Sequence, residues 1–521
     1  MKLKISFLLL FAAVLNFAQI AEQRLDQLIQ ETLKTFDVPG ISVGIVKDGK
    51  TVYAKGFGIR SMINNQPMDA NTLVGIASNS KGFTATALAI LADEGKLSFD
   101  DPVTKFIPEF QMYDPYVSQQ VTVKDLITHR TGLGLGQGDL MFFPEGGTQT
   151  IADIIHNVRY LKPENKFRNS LDYNNIMFIV AGDVITRLSG LSWAEFIEQR
   201  ILKPGGMNSS YGSYNRAMAA SVSNIISAHA PVDGKAIAVP HDWNETANAA
   251  GGIVSNITDM NTWAEFLMNG FTTRDGKKLV SDRQIQQLWN LQIPTPVALK
   301  NPYDSNFGGY GLGWFLTDVK GHKQVYHTGG LIGTVTQFTL IPNMKLGITV
   351  LTNQQSGAAF TAITNTIKDA YLGLNDRNWL TTYGERMTKI NAGYEKEKKD
   401  IYDRSAKFAK DKKQQIADGQ ITGTYRDPWF GDVTVSREGK ALRFVSKTSP
   451  RLKGDLLPYT PNVMIVRWDD RSYDADAFVN FQLDENGQAT GATMKAISDV
   501  TDFSFDFDDL DFKKVEDKKS K

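Results

Sequence analysis

A stretch of dense charge divides this chain into two textures, and it constrains the fold more than any other feature. Between about residues 383 and 417 the pattern is helical, residues 395–400 are all charged and residues 407–413 nearly so. That reads as a solvated helix linking two domains. A basic membrane-surface or partner-binding helix is the alternative, weakened by the acidic residues interleaved throughout. Before the divide, strands at both ends of a long segment enclose helices; after it, the texture is all-β. A chain of 521 residues has room for two to four domains, and the first is long enough to bury a large core.

In the first segment, residues 21–36 have the spacing of an amphipathic helix, with Leu25, Leu28, Ile29, Leu33 and Phe36 on one face. Strand patterns at 40–46 and 51–57 flank Lys47-Asp48-Gly49-Lys50, a hairpin with Asp-Gly at its tip. Helical patterns occupy 78–94, 123–129, 175–188 and 192–202; strands return at 324–327, 333–341 and 346–352, and a helix at 358–372 closes the block. Strands at both sequence ends with helices between predict an α/β (α+β) layer fold whose first and last strands pair in one sheet. From Ile421 onward short alternating runs (432–435, 441–445, 463–466, 477–483) between Gly and Asn turns predict a small barrel or sandwich. Phe503, Phe505 and Phe507 are expected on one face of an edge strand, with Asp506 and Asp508 on its wetted face and a bulge at Asp509. A calcium site built on those acids is the alternative.

The chain starts as a targeting device does. Lys2 and Lys4 precede an apolar run at 5–14, and Asn16, Ala18 and Gln19 follow. The run is too short for a helix spanning about 30 Å of hydrocarbon and has the layout of a secretory signal, with cleavage expected after Ala18; an N-terminal membrane anchor is the alternative. No later stretch reaches about 18 consecutive apolar residues, so no transmembrane segment is expected after cleavage. The division is thus residues 1–18 as signal, 19–372 as the first domain, 373–417 as linker and 418–521 as the β domain. The protein is expected to be exported, periplasmic or secreted. Lys+Arg and Asp+Glu both number 57, so no basic excess points to nucleic acid. Cysteine is absent, which excludes disulfides, thiolate metal sites and a cysteine nucleophile.

Several motifs mislead. Gly40-Ile41-Ser42-Val43-Gly44 fits G-x-S-x-G, but a strand runs through it, and that motif works only on a sharp strand-to-helix turn. Gly132-Leu133-Gly134-Leu135-Gly136 looks like a phosphate loop but follows a helix. The six histidines (129, 156, 229, 241, 322, 327) show no H-E-x-x-H and no tight cluster, so no metal is expected. The signal that survives is Ser78-Asn79-Ser80-Lys81, opening a helix, the only serine followed by lysine three residues on. Positions i and i+3 share a helix face, so the Lys81 nitrogen stands beside the Ser78 oxygen. Burial would lower the Lys81 pKa and let it accept a proton, as a serine nucleophile requires. Tyr173-Asn174-Asn175 sits in a polar stretch before a helix, and His327-Thr328-Gly329-Gly330 ends a strand. Alone, the first reads as an amphipathic surface tyrosine and the second as a hairpin turn.

Together, in this order, the three resemble the serine β-lactamase and penicillin-binding-protein superfamily, in its class C-like branch, whose signature is S-x-x-K, Y-x-N and K-T-G or H-x-G. The stretches 126–133, 250–255 and 310–314 look similar too, and the likeness covers roughly residues 21–372. The resemblance implies an antiparallel sheet flanked by helices with an all-helical subdomain, and an acyl-enzyme formed at Ser78. Lys81 and Tyr173 would share the proton work, with the resting proton left open between them. The backbone N–H groups of Ser78 and Gly330 would form the oxyanion hole. Asn175 would bond the substrate amide, and His327, Thr328 and Gly329 would line the substrate edge, where Gly329 and Gly330 leave room for a substrate. His327 stands where β-lactamases carry lysine, which favours the D-aminopeptidase and esterase members. The implied substrates are small peptides, amides or esters, with D-stereochemistry as one option and no cofactor. A β-lactamase or D-alanyl carboxypeptidase and a non-catalytic cell-wall peptide-binding module are the alternatives. The β domain resembles the lipocalin-like domain appended to some of these hydrolases; its role stays open between covering the cleft and forming a homo-oligomer.

Overall fold

A computed structural model describes residues 20–241, 243–374 and 377–516; the signal expected at 1–18 lies outside them. The alternating apolar pattern of the first domain closes one eight-stranded antiparallel sheet. Its order is Lys50–Gly58, Gly40–Lys47, Leu346–Thr352, Thr334–Ile341, His322–Leu331, Phe315–Val319, Gly308–Tyr310 and Ile293–Pro294. The first long strand and the last pair as expected, with Ile41 opposite Thr352 and Lys47 opposite Leu346. Joining residues some 300 apart in sequence places every intervening helix on one side of a closed chain path.

Both faces of the sheet are covered. Ile41, Val43 and Ile45 pack with Leu25 and Ile29 of the helix Glu22–Thr35 and with Ile363 and Ile367 of the helix Gly357–Leu372. The opposite parity of the same strand carries Gly44, where a Cβ would lie 2.2 Å from Asn261 Oδ1 of the helix Ile257–Met268. On that side lie the helices Ser80–Asp93 and Ile176–Ser189, the latter buried from Ile176 to Gly182. No single helix among the described residues is long and apolar enough to cross a membrane.

The helix Trp379–Phe408 runs 30 residues, about 45 Å at 1.5 Å per residue. Only Trp379 and Ser405 are buried along it, so its charge is largely solvated. Its start is fixed by Trp379 Nε1 donating to Asp369 Oδ2 at 2.7 Å. Its end is fixed to the second domain by Ser405 Oγ donating to the Pro458 carbonyl at 2.9 Å and by the Lys398–Asp474 pair at 2.5 Å. Beyond it, eight strands from Gly423–Asp427 to Asp511–Lys514 follow in sequence order and close into a barrel, Tyr425 opposite Lys514.

The aromatic tail of that domain corrects one expectation. Residues 499–510 form turns rather than an edge strand, and only Asp511–Lys514 is extended. Phe505 is buried edge-on against Phe143 of the first domain and Phe507 is buried on Trp468 of the barrel, while Phe503 stays exposed.

Candidate active site

Ser78 sits in the single 3₁₀ turn Ala77–Asn79 that feeds the helix Ser80–Asp93. Ala77 holds φ at +49°, a conformation costing roughly 1–2 kcal/mol for a residue with a Cβ, so the surroundings must fix the turn. They do so from two sides. The Ile76 N–H donates to the Ile253 carbonyl at 2.9 Å, and the Ile253 N–H donates to Ser80 Oγ at 3.1 Å. Across the turn, Thr336 Oγ1 donates to the Ile76 carbonyl at 3.0 Å and accepts from Asn79 Nδ2 at 2.8 Å. The stretch 250–255 and the strand Thr334–Ile341 thus clamp the segment that presents Ser78, which is half-buried.

Lys81 is fully buried on the next turn of the helix. Its Nζ lies 2.9 Å from Ser78 Oγ, 2.7 Å from Asn175 Oδ1 and 2.9 Å from the Ala250 carbonyl oxygen. Burial pushes its pKa down to about 7, against the opposing charge of Asp139. Tyr173 lines the same cleft as Ser78, and its ring centroid lies 4.9 Å from Lys81 Nζ. Burial raises the phenol above its usual range, so Tyr173 keeps its proton while Lys81 is poised to lose one. The spacing i, i+3 placed serine and lysine together, and the fold brings the tyrosine 95 positions further on into the same cleft.

Asn175 is tied at both ends: Oδ1 accepts from Lys81, and Nδ2 donates to Asp139 Oδ2 at 2.7 Å. A side-chain amide has two N–H groups, so one remains for a substrate. Asp139 was not legible in the sequence. It is fully buried, its Oδ1 has no partner, and burial pushes its pKa up to about 7 despite the bond from Asn175. Nothing local marks it, since it lies in a 3₁₀ turn, Asp139–Met141, reached through Gly138 at φ +87°.

His327 is buried, and both ring nitrogens are engaged. Nδ1 lies 2.6 Å from the Thr328 carbonyl oxygen and Nε2 2.9 Å from the Tyr310 hydroxyl. A carbonyl only accepts, so Nδ1 carries the hydrogen and the neutral ring accepts from Tyr310 at Nε2. Burial, then the charge of Lys81, lowers its pKa to about 3. No cation stands at this position, and the ring bonds neither Ser78 nor Lys81. His129, a second residue that motif reading did not single out, accepts the Asn174 N–H at 3.0 Å and lies under the Tyr173 ring at 4.2 Å between centroids.

The two glycines of the third motif differ. At Gly329 a Cβ would stand 2.3 Å from the Ile76 carbonyl oxygen and 2.9 Å from the Ala77 Cβ, so close packing on the turn that carries Ser78 requires glycine there. This corrects the expectation that Gly329 leaves room for substrate. Gly330 is exposed with open space beside it. A cleft of about 330 Å³ gathers Ser78, Tyr173, Asn175, His327, Thr328 and Gly330. Its walls are apolar (Phe142, Phe143, Trp243, Phe315, Leu331), and Asp502, Phe503 and Ser504 of the second domain complete it. A larger hollow of about 430 Å³ near Thr262 and Arg274 holds none of these groups. The misleading motifs also resolve: Ser42 is fully buried in mid-strand. At Gly136 (φ +71°) a Cβ would lie 2.5 Å from the Phe503 carbonyl oxygen, so that glycine loop receives the second domain.

The Beta-lactamase family model matches residues 25–372, and one described as a domain of unknown function (DUF3471) matches 420–514. The chain is 26% identical over 438 residues to the unguisins hydrolase ungD' of Aspergillus campestris, covering 80% of this chain and 77% of that protein. It is 25% identical over 338 residues to Protein flp of Staphylococcus aureus, covering 64% of each. The octameric penicillin-binding protein homologue from Pyrococcus abyssi shares the fold with a TM-score of 0.59 at 24% identity, over 91% of this chain and 97% of that one. With the match spanning more than half its length, and the same layered sheet beneath it, the chain belongs to the Beta-lactamase family.

Proposed function

We propose that the protein is a serine hydrolase that cleaves amide, peptide or ester bonds through an acyl-enzyme at Ser78. One observation carries the reading. A fully buried Lys81 nitrogen lies 2.9 Å from a half-buried Ser78 hydroxyl, in a cleft that also holds a protonated Tyr173. As the Ser78 oxygen attacks the carbonyl carbon, its proton passes to the Lys81 amine. The Tyr173 hydroxyl then gives a proton to the leaving group and takes one back from the Lys81 ammonium, and water releases the acyl group as the acid. The N–H groups of Ser78 and Gly330 receive the developing oxyanion, each such donor being worth roughly 10²–10³ in rate. His327 holds Tyr310 and the strand edge and needs no charge.

The neutral His327 and the Asp502 carboxylate in the same cleft favour the H-x-G, D-aminopeptidase and esterase type over a carboxylate-recognising β-lactamase. A substrate carboxylate there would meet a like charge and, among the described lining residues, no Lys or Arg. The apolar walls suit a hydrophobic acyl group, and the sequential strand order of the barrel supports the lipocalin-like reading. Export on residues 1–18 belongs to this reading, resting on Lys2, Lys4 and the apolar run; the intact mass of the protein recovered from the producing cell tests it.

A fluorophosphonate probe with intact-mass readout tests the chemistry. One covalent adduct, lost in Ser78→Ala, is expected. Folded protein that takes no adduct would point to a non-catalytic cell-wall peptide-binding module. Paired D- and L-amino-acid anilides, short-chain esters and penicillins then separate the substrate classes; efficient turnover of penicillins alone would replace the amidase and esterase reading.

A further inference from the structure

The second domain enters the candidate site at one place. Asp506 Oδ2 accepts the Gly138 N–H at 2.6 Å, the Phe503 carbonyl fills the space left by the missing side chain of Gly136, and Phe505 meets Phe143 edge-on at 5.0 Å. This seating sets Ser504 over Asp139. The Ser504 hydroxyl donates at 2.8 Å to Asp139 Oδ2, the same oxygen that accepts Asn175 Nδ2 at 2.7 Å. Asn175 accepts in turn from Lys81, and Lys81 reaches Ser78. Four hydrogen bonds therefore run without a break from the Ser78 oxygen to a hydroxyl supplied by the barrel.

We infer that Ser504 is a positioning residue by which the barrel sets the proton affinity of Lys81, through Asp139 and Asn175. The inference rests on the reading of Ser78 as nucleophile and Lys81 as its base. A donor held on a carboxylate favours the anion, so the Ser504 hydroxyl shifts Asp139 toward its charged form. Asp139⁻ in turn shifts Lys81 toward ammonium, because opposite charges in a buried site stabilise one another. The other groups facing Asp139 are accounted for. Lys81 favours its anion, Asp502 of the same barrel segment opposes it, and Tyr173 remains protonated. Asp139 raises the proton affinity of Asp506, as the neighbouring Asp509 charge also does. Asp502 takes the Ser504 N–H at 2.9 Å and also lies in reach of the hydroxyl. A hydroxyl has one proton to donate, and here it goes to Asp139.

The sign of the effect follows. Without the Ser504 donor the Asp139 carboxyl holds its proton to higher pH, Lys81 loses part of its counter-charge, and its amine is freed at lower pH. The test uses full-length protein as wild type, Ser504→Ala and Ser504→Thr. The carboxylic C=O infrared band, assigned by its loss in Asp139→Asn, is followed from about pH 5 to about pH 9, alongside the rate of fluorophosphonate labelling. In Ser504→Ala the Asp139 midpoint should rise by about 0.5 pH unit or more, and the acidic limb of labelling should fall by a similar amount. Ser504→Thr, which keeps a hydroxyl, should restore both. A carboxyl midpoint unchanged in folded Ser504→Ala, or moved equally by Ser504→Thr, overturns the inference. Should wild type take no label at any pH, the reading of Ser78 falls, while the infrared titration still judges the link between Ser504 and Asp139.

Discussion

The candidate site and the barrel bury charge in opposite ways. In the barrel, Asp427 accepts from the N–H groups of Trp429, Phe430 and Asp511, and Asp476 is paired with Arg471 at 2.6 Å. Aromatic and aliphatic side chains fill its interior, with Phe444 and Phe507 each packed 5.8 Å from Trp468. Around the candidate site, Lys81 and Asp139 are buried without touching each other, joined only through the Asn175 amide, and one Asp139 oxygen has no partner. Buried charge that is fully satisfied specifies structure; buried charge left short of partners costs stability and holds proton affinities near neutrality, where they are useful for catalysis. The segment 502–506 is where the stabilising domain touches the reactive one.

The sharpest way to break this contrast is to remove one group from each side. Ser78→Ala should abolish turnover, by about 10⁴-fold or more, with no loss of thermal stability. Trp468→Ala should do the reverse, costing about 3–5 kcal/mol in chemical denaturation while the folded fraction keeps its rate. Equal effects of the two on rate would dissolve the distinction. Next in size is Gly329→Ala, whose Cβ has nowhere to go beside the Ile76 carbonyl. Displacing the nucleophile turn by even 1 Å should lower kcat by roughly 10², measured on a short ester, whereas Gly330→Ala, in open space, should act mainly through KM.

The pH profile gives a smaller effect with a definite sign. The Lys81 pKa is depressed from 10.5 to about 7, and in the proposed mechanism the amine, not the ammonium, accepts the Ser78 proton. Acylation should therefore rise as pH increases through about 7 and level off above it, read as kcat/KM. An acidic limb near the His327 value of about 3 instead would transfer the base role away from Lys81. Smallest of all, Phe503→Ala trims a cleft wall supplied by the barrel. It should change the kcat/KM ratio between bulky and small acyl groups by roughly 3–30-fold, the size of one buried apolar contact, leaving the pH profile in place. An unchanged ratio would mean that the barrel shapes the site through Ser504 alone.

Local spacing made much of this legible. Alternation of apolar residues announced the strands at 40–46 and 346–352, and the i, i+3 relation of Ser78 and Lys81 is a helix property that any context preserves. The charged helix and the change to an all-β texture were likewise visible in the sequence. The tail was misread because Phe503, Phe505 and Phe507 alternate as a strand would, while the partner that removes them from a sheet edge is the loop around Gly136, more than 360 residues away. Asp139 carries no local mark, and Gly329 was assigned the wrong neighbour for the same reason: the Ile76 carbonyl that excludes its side chain belongs to the turn before Ser78, some 250 residues earlier in the chain.

The sequence by itself determined which elements form and which residue types could do acyl chemistry, since periodicity and chemical type are properties of short stretches. Only the tertiary structure decided that a buried acid lies two hydrogen bonds from Lys81, that His327 is neutral, and that the barrel places a hydroxyl on that acid. Proton affinity and steric exclusion depend on what surrounds a group in space, and here those surroundings come from segments hundreds of residues apart.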